Sequence, residues 1–162
     1  MPKERQFSRK EAANAAKFVK ANVQGLHKGL LCGSYRRKCE TVADLDIVVI
    51  PNDLVLFHAS VSRIADKVLF SGDKKLSFMT PAKYGIQVDF LITDEFSYEA
   101  ALLHFTGSKL FNIKCRARAK AKGLKLNEYS LWKGSKAVCH TEQGILESIG
   151  MEQFLEPRTR DM

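Results

Sequence analysis

Two periodicities divide the chain. Ser8-Arg9-Lys10-Glu11 has the spacing of a capping box and opens an alanine-rich helix running to about Asn22. Leu30 to Cys32 reads as a short strand, and Gly33-Ser34 as a tight turn that opens a short helical segment. Asp44 to Ile50 has the β-branched content of a buried strand, which Pro51 ends. Val55, Ala59, Ser62 and Ala65 give helical spacing to Leu54–Val68. Lys75 to Thr80 reads as a strand, as does Gly85 to Thr93, where Ile86, Val88, Phe90 and Ile92 alternate with Gln87, Asp89 and Leu91.

After Thr93 the period changes. A helix is expected over Ser97–Phe105, a break at Thr106-Gly107-Ser108, and a second helix over Lys109–Lys122 closed by Gly123. Leu124 to Val138 suggests a hairpin turning near Lys133-Gly134 and packed by Trp132. Thr141 can cap a last short helix to about Ile149, and Pro157 sits in a basic tail. The expected fold class is α+β. A first lobe is mixed α/β around a small sheet with flanking helices. A mostly helical second lobe carries a β-hairpin, and the boundary lies near residues 94–97.

Composition narrows the function. The 162 residues are 45% hydrophobic and 27% charged, which fits one domain or two small lobes and excludes wholesale disorder or a rod. The longest apolar runs are too short to span a bilayer, and Met1 to Lys10 is charged, without the apolar stretch of a signal peptide. A soluble intracellular protein is expected, with no membrane partner. Lys and Arg total 26 against 18 Asp and Glu, a net charge of +8 that favours a polyanion: nucleic acid, nucleotide or acidic membrane. Cys32, Cys39, Cys115 and Cys139 lack the spacing of a zinc site and read as reduced thiols.

Asp44 and Asp46, two apart in a strand, leave the same face. Side by side they repel unless a cation lies between them. Asp89, mid-strand between Val88 and Phe90, is costly without a partner. Three such side chains from neighbouring strands form a hard-oxygen set suited to Mg²⁺ and substrate phosphates. Eleven residues before Asp44, Gly33-Ser34 permits close approach of a phosphate, and Arg36 or Arg37 can clamp it. That pairing is what phosphoryl or nucleotidyl transfer requires. Between Lys109 and Lys125 lie seven cations and no acidic residue, and Lys114, Arg118 and Lys122 share one helix face. Such a face suits a nucleic-acid backbone. Leu110 and Phe111 read as core, and His58 and His140 as structural or exposed.

Gly33 to Asp46 resembles the nucleotidyltransferase signature, in the Gly-Ser-x-Arg-Arg form of the family X DNA polymerases, relatives of polymerase beta. His104-Phe105-Thr106-Gly107-Ser108, followed by Phe111, Asn112 and Arg116, resembles that family's thumb-entry motif, usually Tyr-Phe-Thr-Gly-Ser. Leu126-Asn127-Glu128-Tyr129 and Glu156-Pro157-Arg158 resemble its later markers, so the likeness spans nearly the whole chain. The resemblance implies a palm over residues 1–95 and a thumb over 96–162. It implies two Mg²⁺ ions, with Mn²⁺ as a substitute. Asp44 and Asp46 would bind both ions, and Asp89 would bind the catalytic one. Gly33, Ser34 and Arg37 are implied to bind the triphosphate. His104, Phe105, Gly107 and Asn112 are implied in nucleotide binding, with Phe105 and Gly107 at the sugar. Lys114, Arg116, Arg118 and Lys122 are implied to contact DNA. The implied partners are gapped or primer–template DNA and dNTPs, and the protein a monomer.

Three departures qualify the resemblance. The family's amino-terminal lyase domain and its primer-side helix-hairpin-helix find no room, as in the minimal palm-and-thumb members known chiefly from viruses. His104 stands where Tyr is usual. Lys109 stands where many relatives are acidic and is given no catalytic role. The expected activity is DNA-directed DNA synthesis that fills short gaps in repair, without lyase chemistry. A template-independent nucleotidyltransferase acting on a nucleic acid or small molecule would explain the Asp triad but not the thumb motif. A catalytically silent nucleic-acid-binding module would explain the charge alone.

Overall fold

The computed structural model describes residues 4–162. In the first lobe β1 (Phe7–Ser8) leads into α1 (Arg9–Asn22), followed by β2 (Leu26–Leu31), α2 (Gly33–Arg36), β3 (Thr41–Val42), β4 (Asp44–Pro51), α3 (Leu54–Ile64), β5 (Lys67–Ser71), β6 (Lys75–Met79) and β7 (Gln87–Ile92). The second lobe contains α4 (Tyr98–Thr106), α5 (Lys109–Ala121), β8 (Lys125–Leu126), β9 (Leu131–Lys133), β10 (Lys136–Cys139) and α6 (Glu142–Ser148), ending in two short 3₁₀ turns. The capping box forms: the Ser8 hydroxyl accepts from the Glu11 amide, and the Glu11 carboxylate accepts from the Ser8 amide.

Five strands form a mixed sheet in the order β2-β4-β7-β6-β5, in which only β4 and β7 run parallel. One face is covered by α1 and α3, whose Ala12, Ala15, Val19, Phe57 and Val61 pack with Leu45, Val49, Val88 and Phe90. Because side chains alternate along a strand, the intervening positions of β4 face the other way. There Val48 and Ile50 pack with Cys32 and with Tyr98, Ala101 and Leu102 of α4. Ala100 and Leu103 of the same helix join Phe111, Cys115, Leu131, Ile145 and Ile149 in the second core. Thus α4 is apolar on two sides and is shared by both lobes. Asp44 and Asp46 lie further along that face of β4, beyond the part α4 covers.

Several expectations change. The helix over Leu54–Val68 stops at Ile64, and Lys67–Ser71 is an edge strand paired with β6. A short apolar run cannot distinguish a helix's last turn from a strand, and β5, exposed along its length, has no buried face to impose alternation. The face of α3 is also different: Val55 is 81% exposed, Ala59 and Ser62 are exposed, and Phe57, Ser60 and Val61 are buried. Leu110 is exposed rather than core, whereas Phe111 is buried as expected. The hairpin gains a third strand, β8, and Trp132 donates to the Asn127 side chain at 3.0 Å. All four cysteines are free thiols, and burial pushes Cys32 up to about 11.

The corrected face of α3 predicts a contrast. Val55→Lys should change stability by no more than about 0.5 kcal/mol, whereas Phe57→Ala should cost about 3–5 kcal/mol. Thermal denaturation of the two variants measures it. Equal losses would restore the other face.

Candidate active site

The parallel pairing of β4 with β7 sets the acidic end of the sheet. Asp46 stands in register with Asp89, and Asp44 with Gln87. On the far side of β7, Ser77 is the register partner of Asp89. The Asp89 side chain is only 11% exposed. It accepts from the Ser77 hydroxyl at 2.5 Å and the Gln87 amide at 3.1 Å, with the Lys75 ammonium at 4.0 Å. These are the partners a mid-strand Asp needs; Gln87 is two residues back on β7, while Ser77 and Lys75 are brought in by the pairing with β6.

Burial first, then the charges of Asp44 and Asp89, push Asp46 up to about 7. Burial, followed by Asp89 and Glu4, also raises Asp44. Asp44 and Asp46 therefore resist ionising together beside Asp89. Among the described residues, no three acidic, histidine or cysteine side chains are gathered into a ready-made metal cage.

The turn after β2 lies against these carboxylates. Gly33 has φ +59°, and a Cβ there would come within 2.5 Å of Asp46 Oδ2. Only glycine lets the backbone take this course so close to the acid. Ser34 follows, and Arg37 reaches the second lobe, where its Nη1 donates to the Thr106 carbonyl at 2.7 Å. Gly107, with φ +67°, leaves room for that guanidinium: a Cβ would stand 3.2 Å from Arg37 Nη1. A cis peptide joins Gly107 to Ser108, and the Ser108 hydroxyl caps α5 by accepting from the Phe111 amide at 3.3 Å.

Lys109, Asn112 and Arg116, at positions i, i+3 and i+7 of α5, share one face. Together with Gly33, Ser34, Arg37, Asp44, Asp46 and the His104–Gly107 segment they line a cleft of about 420 Å³ between the lobes. The Asn112 side chain donates to the His104 carbonyl at 2.7 Å. Burial, aided by Arg116 and opposed by Glu128, holds His104 below its usual range. Asp89 lies beside Asp46 in the sheet and does not form the cleft wall. Lys114 and Arg118 flank a separate hollow beside Met151 and Phe154, and Lys122 follows the end of α5; all three are exposed.

Several contributors escaped the sequence reading. Lys109 lines the cleft. The buried Glu142 on α6 binds Arg36 through both oxygens, at 3.0 and 2.9 Å, and accepts from the fully buried Arg160 at 2.6 Å. Burial alone would raise the Glu142 carboxyl, but the Arg36 hydrogen bonds and the charges of Arg160 and Arg36 outweigh it and hold the group low. Pairs separated by about a hundred residues leave no local signal. The one hint was a carboxylate directly after the cap residue Thr141.

A strand-borne acidic pair against a glycine–serine turn, roofed by a basic helix, defines a nucleotidyltransferase palm joined to a polymerase-type thumb. Residues 6–83 match the family model of the DNA polymerase beta palm, and residues 101–161 that of the DNA polymerase beta thumb. The chain is 30% identical over 172 residues to DNA polymerase lambda of Rattus norvegicus, covering 93% of this chain and 29% of that protein. It is 37% identical over 101 residues to the DNA polymerase/3'-5' exonuclease PolX of Bacillus subtilis, covering 61% and 18%. It is 33% identical over 129 residues to the repair DNA polymerase X of African swine fever virus, covering 73% of each. The chain belongs to family X of the DNA polymerases. It spans less than a third of the length of the rat and bacterial relatives. No helix among the described residues is long and apolar enough to cross a membrane.

Proposed function

We propose that this chain is a DNA-directed DNA polymerase that adds dNTPs to a primer 3′-hydroxyl and fills short gaps in repair, acting as a monomer. Residues 1–95 form its palm and 96–162 its thumb. The observation that carries the reading is the single cleft in which the turn residues Gly33, Ser34 and Arg37 meet Asp44 and Asp46 beneath the cationic face of α5.

Asp44, Asp46 and Asp89 would hold two Mg²⁺ ions, for which Mn²⁺ can substitute. The donors are hard oxygens, and their mutual repulsion is what a divalent cation relieves. When bound, the ions supply charge for the triphosphate and for the attacking and leaving oxygens. The chain's own residues do the rest. Ser34 and Arg37 donate to the triphosphate, and Gly33 keeps the turn against Asp46. Asp89, fixed by Ser77 and Gln87, presents a carboxylate toward the primer hydroxyl. Phe105 and Gly107 border the sugar. His104, held below its usual pKa, offers a neutral ring. Asn112 and Arg116 face the nascent base pair. Lys114, Arg118 and Lys122 contact the DNA backbone. Transfer to a small-molecule acceptor would leave that basic face without a role.

Primer extension on gapped DNA with each dNTP in turn tests the activity. Addition that follows the template supports the reading, and equal addition of all four without a template overturns it.

DNA affinity should fall with salt. If about four phosphates are contacted, the log–log slope should be roughly −3 to −4, and Arg118→Ala with Lys122→Ala should flatten it by about one to two units. Fluorescence anisotropy of labelled DNA across a salt series measures this. An unchanged slope would make the basic face of α5 merely solvated.

A further inference from the structure

Asp161 does not line the cleft, yet it touches the residue assigned to clamp the triphosphate. Arg37 Nε donates to Asp161 Oδ1 at 3.1 Å, while Arg37 Nη1 donates to the Thr106 carbonyl at 2.7 Å. A guanidinium has five N–H donors in one plane. These two bonds fix its orientation and leave Nη2 and the second hydrogen of Nη1 for another acceptor.

The side from which Asp161 approaches decides its role. Arg37, Gly33 and Ser34 line the cleft, and Asp161 does not. A carboxylate competing with a phosphate for Arg37 would stand in the cleft. This one binds Nε and does not line the cleft.

The chain leading to Asp161 is anchored independently of that contact. Arg160 is fully buried, its guanidinium donating to Glu142 and to the carbonyls of Phe154 and Leu155. Its own carbonyl accepts from the Ser108 amide at 3.2 Å. The tail therefore lies along the Gly107–Ser108 turn, and Asp161 and Thr106 reach Arg37 from two segments fixed to each other.

We propose that Asp161 is a positioning residue for nucleotide binding: together with the Thr106 carbonyl it locks the Arg37 guanidinium so that its free N–H groups project into the cleft toward a triphosphate. The inference rests on the proposed function for the identity of the anion, and on the geometry alone for the coupling to Arg37.

The exposed Asp161 (its side chain is 52% exposed) contributes little to folding through this pair, so its removal is a clean probe. In the full chain, Asp161→Ala should raise KM for dNTP by about three- to tenfold with a smaller change in kcat and unchanged DNA affinity; that fold-change is the size of one ordinary, partly exposed hydrogen bond. Asp161→Asn, which keeps an acceptor oxygen and loses the charge, should fall between wild type and Ala. In the Arg37→Ala background, Asp161→Ala should have no further effect, which a structural role of the tail would not produce. Binding of inorganic tripolyphosphate, measured in parallel by calorimetry, separates this inference from the proposed function. A wild type that extends no primer but binds tripolyphosphate, and loses about the same three- to tenfold on Asp161→Ala, would refute polymerisation and support the lock. Tighter dNTP or tripolyphosphate binding by Asp161→Ala would show a competing carboxylate. That result, unchanged binding, or additive losses with Arg37→Ala would each overturn the proposal.

Discussion

Asp46→Asn is expected to cut primer extension by about a thousandfold or more, the loss of several kcal/mol of transition-state stabilisation. It should also raise the thermal stability of the metal-free protein. Both effects come from one geometry. Asp46 is half-buried beside Asp44 and in register with Asp89, and these surroundings push its carboxyl from 3.8 up to about 7. A carboxyl raised on folding favours the folded state below its unfolded pKa, and that contribution is lost as pH rises through the folded value. The wild type in chelator should therefore lose Tm as pH rises from about 4 to about 7, on the order of 5 °C, and Asp46→Asn should flatten that loss. Asp44→Asn and Asp89→Asn should also abolish extension, but Asp89 already has Ser77, Gln87 and Lys75 as partners, so its replacement should not stabilise. Near-normal extension by Asp46→Asn would refute the assigned chemistry. An unchanged pH profile in chelator would refute the repulsion.

The aspartates and the turn were legible because their signals are local. Two acids at i and i+2 of a strand declare a shared face, and a glycine–serine pair after a strand declares a turn. The α1 cap and the strand bounds of β4 are likewise written within a few residues. What stayed hidden depends on pairing across the chain. Ser77 becomes a partner of Asp89 only when β6 and β7 are registered. On α3, Val55, Ala59 and Ser62 have helical spacing as good as that of Phe57, Ser60 and Val61, and only docking against the sheet decides which stripe is buried. The edge strand β5 lacked alternation because neither face is covered. The greatest omission was Glu142, whose partners Arg36 and Arg160 lie 106 and 18 residues away.

That omitted residue supports the second large prediction. Glu142 neutralises Arg160, which is fully buried, and Arg36, which is mostly buried. Replacing a buried pair with apolar groups can be neutral, but removing one partner leaves an uncompensated charge at a cost of about 3–5 kcal/mol. Glu142→Leu should therefore lower Tm by about 10 °C. Arg36→Leu should cost less, because Arg160 would keep its carboxylate. The pH dependence has the opposite sign to that of Asp46. Glu142 is held below its ordinary 4.5, so its stabilisation is complete above that value and is lost as pH falls through the folded pKa. Wild type should lose stability in mild acid more steeply than Glu142→Gln. The variant should also bind dNTP less tightly, since Arg36 adjoins Arg37 and releasing it loosens the turn that carries the clamp. Melting curves across pH, with dNTP affinity measured well below the Tm of each variant, test both effects. If Glu142→Leu matched the wild-type Tm, the Arg36–Glu142–Arg160 contact would be incidental to the joining of the two lobes.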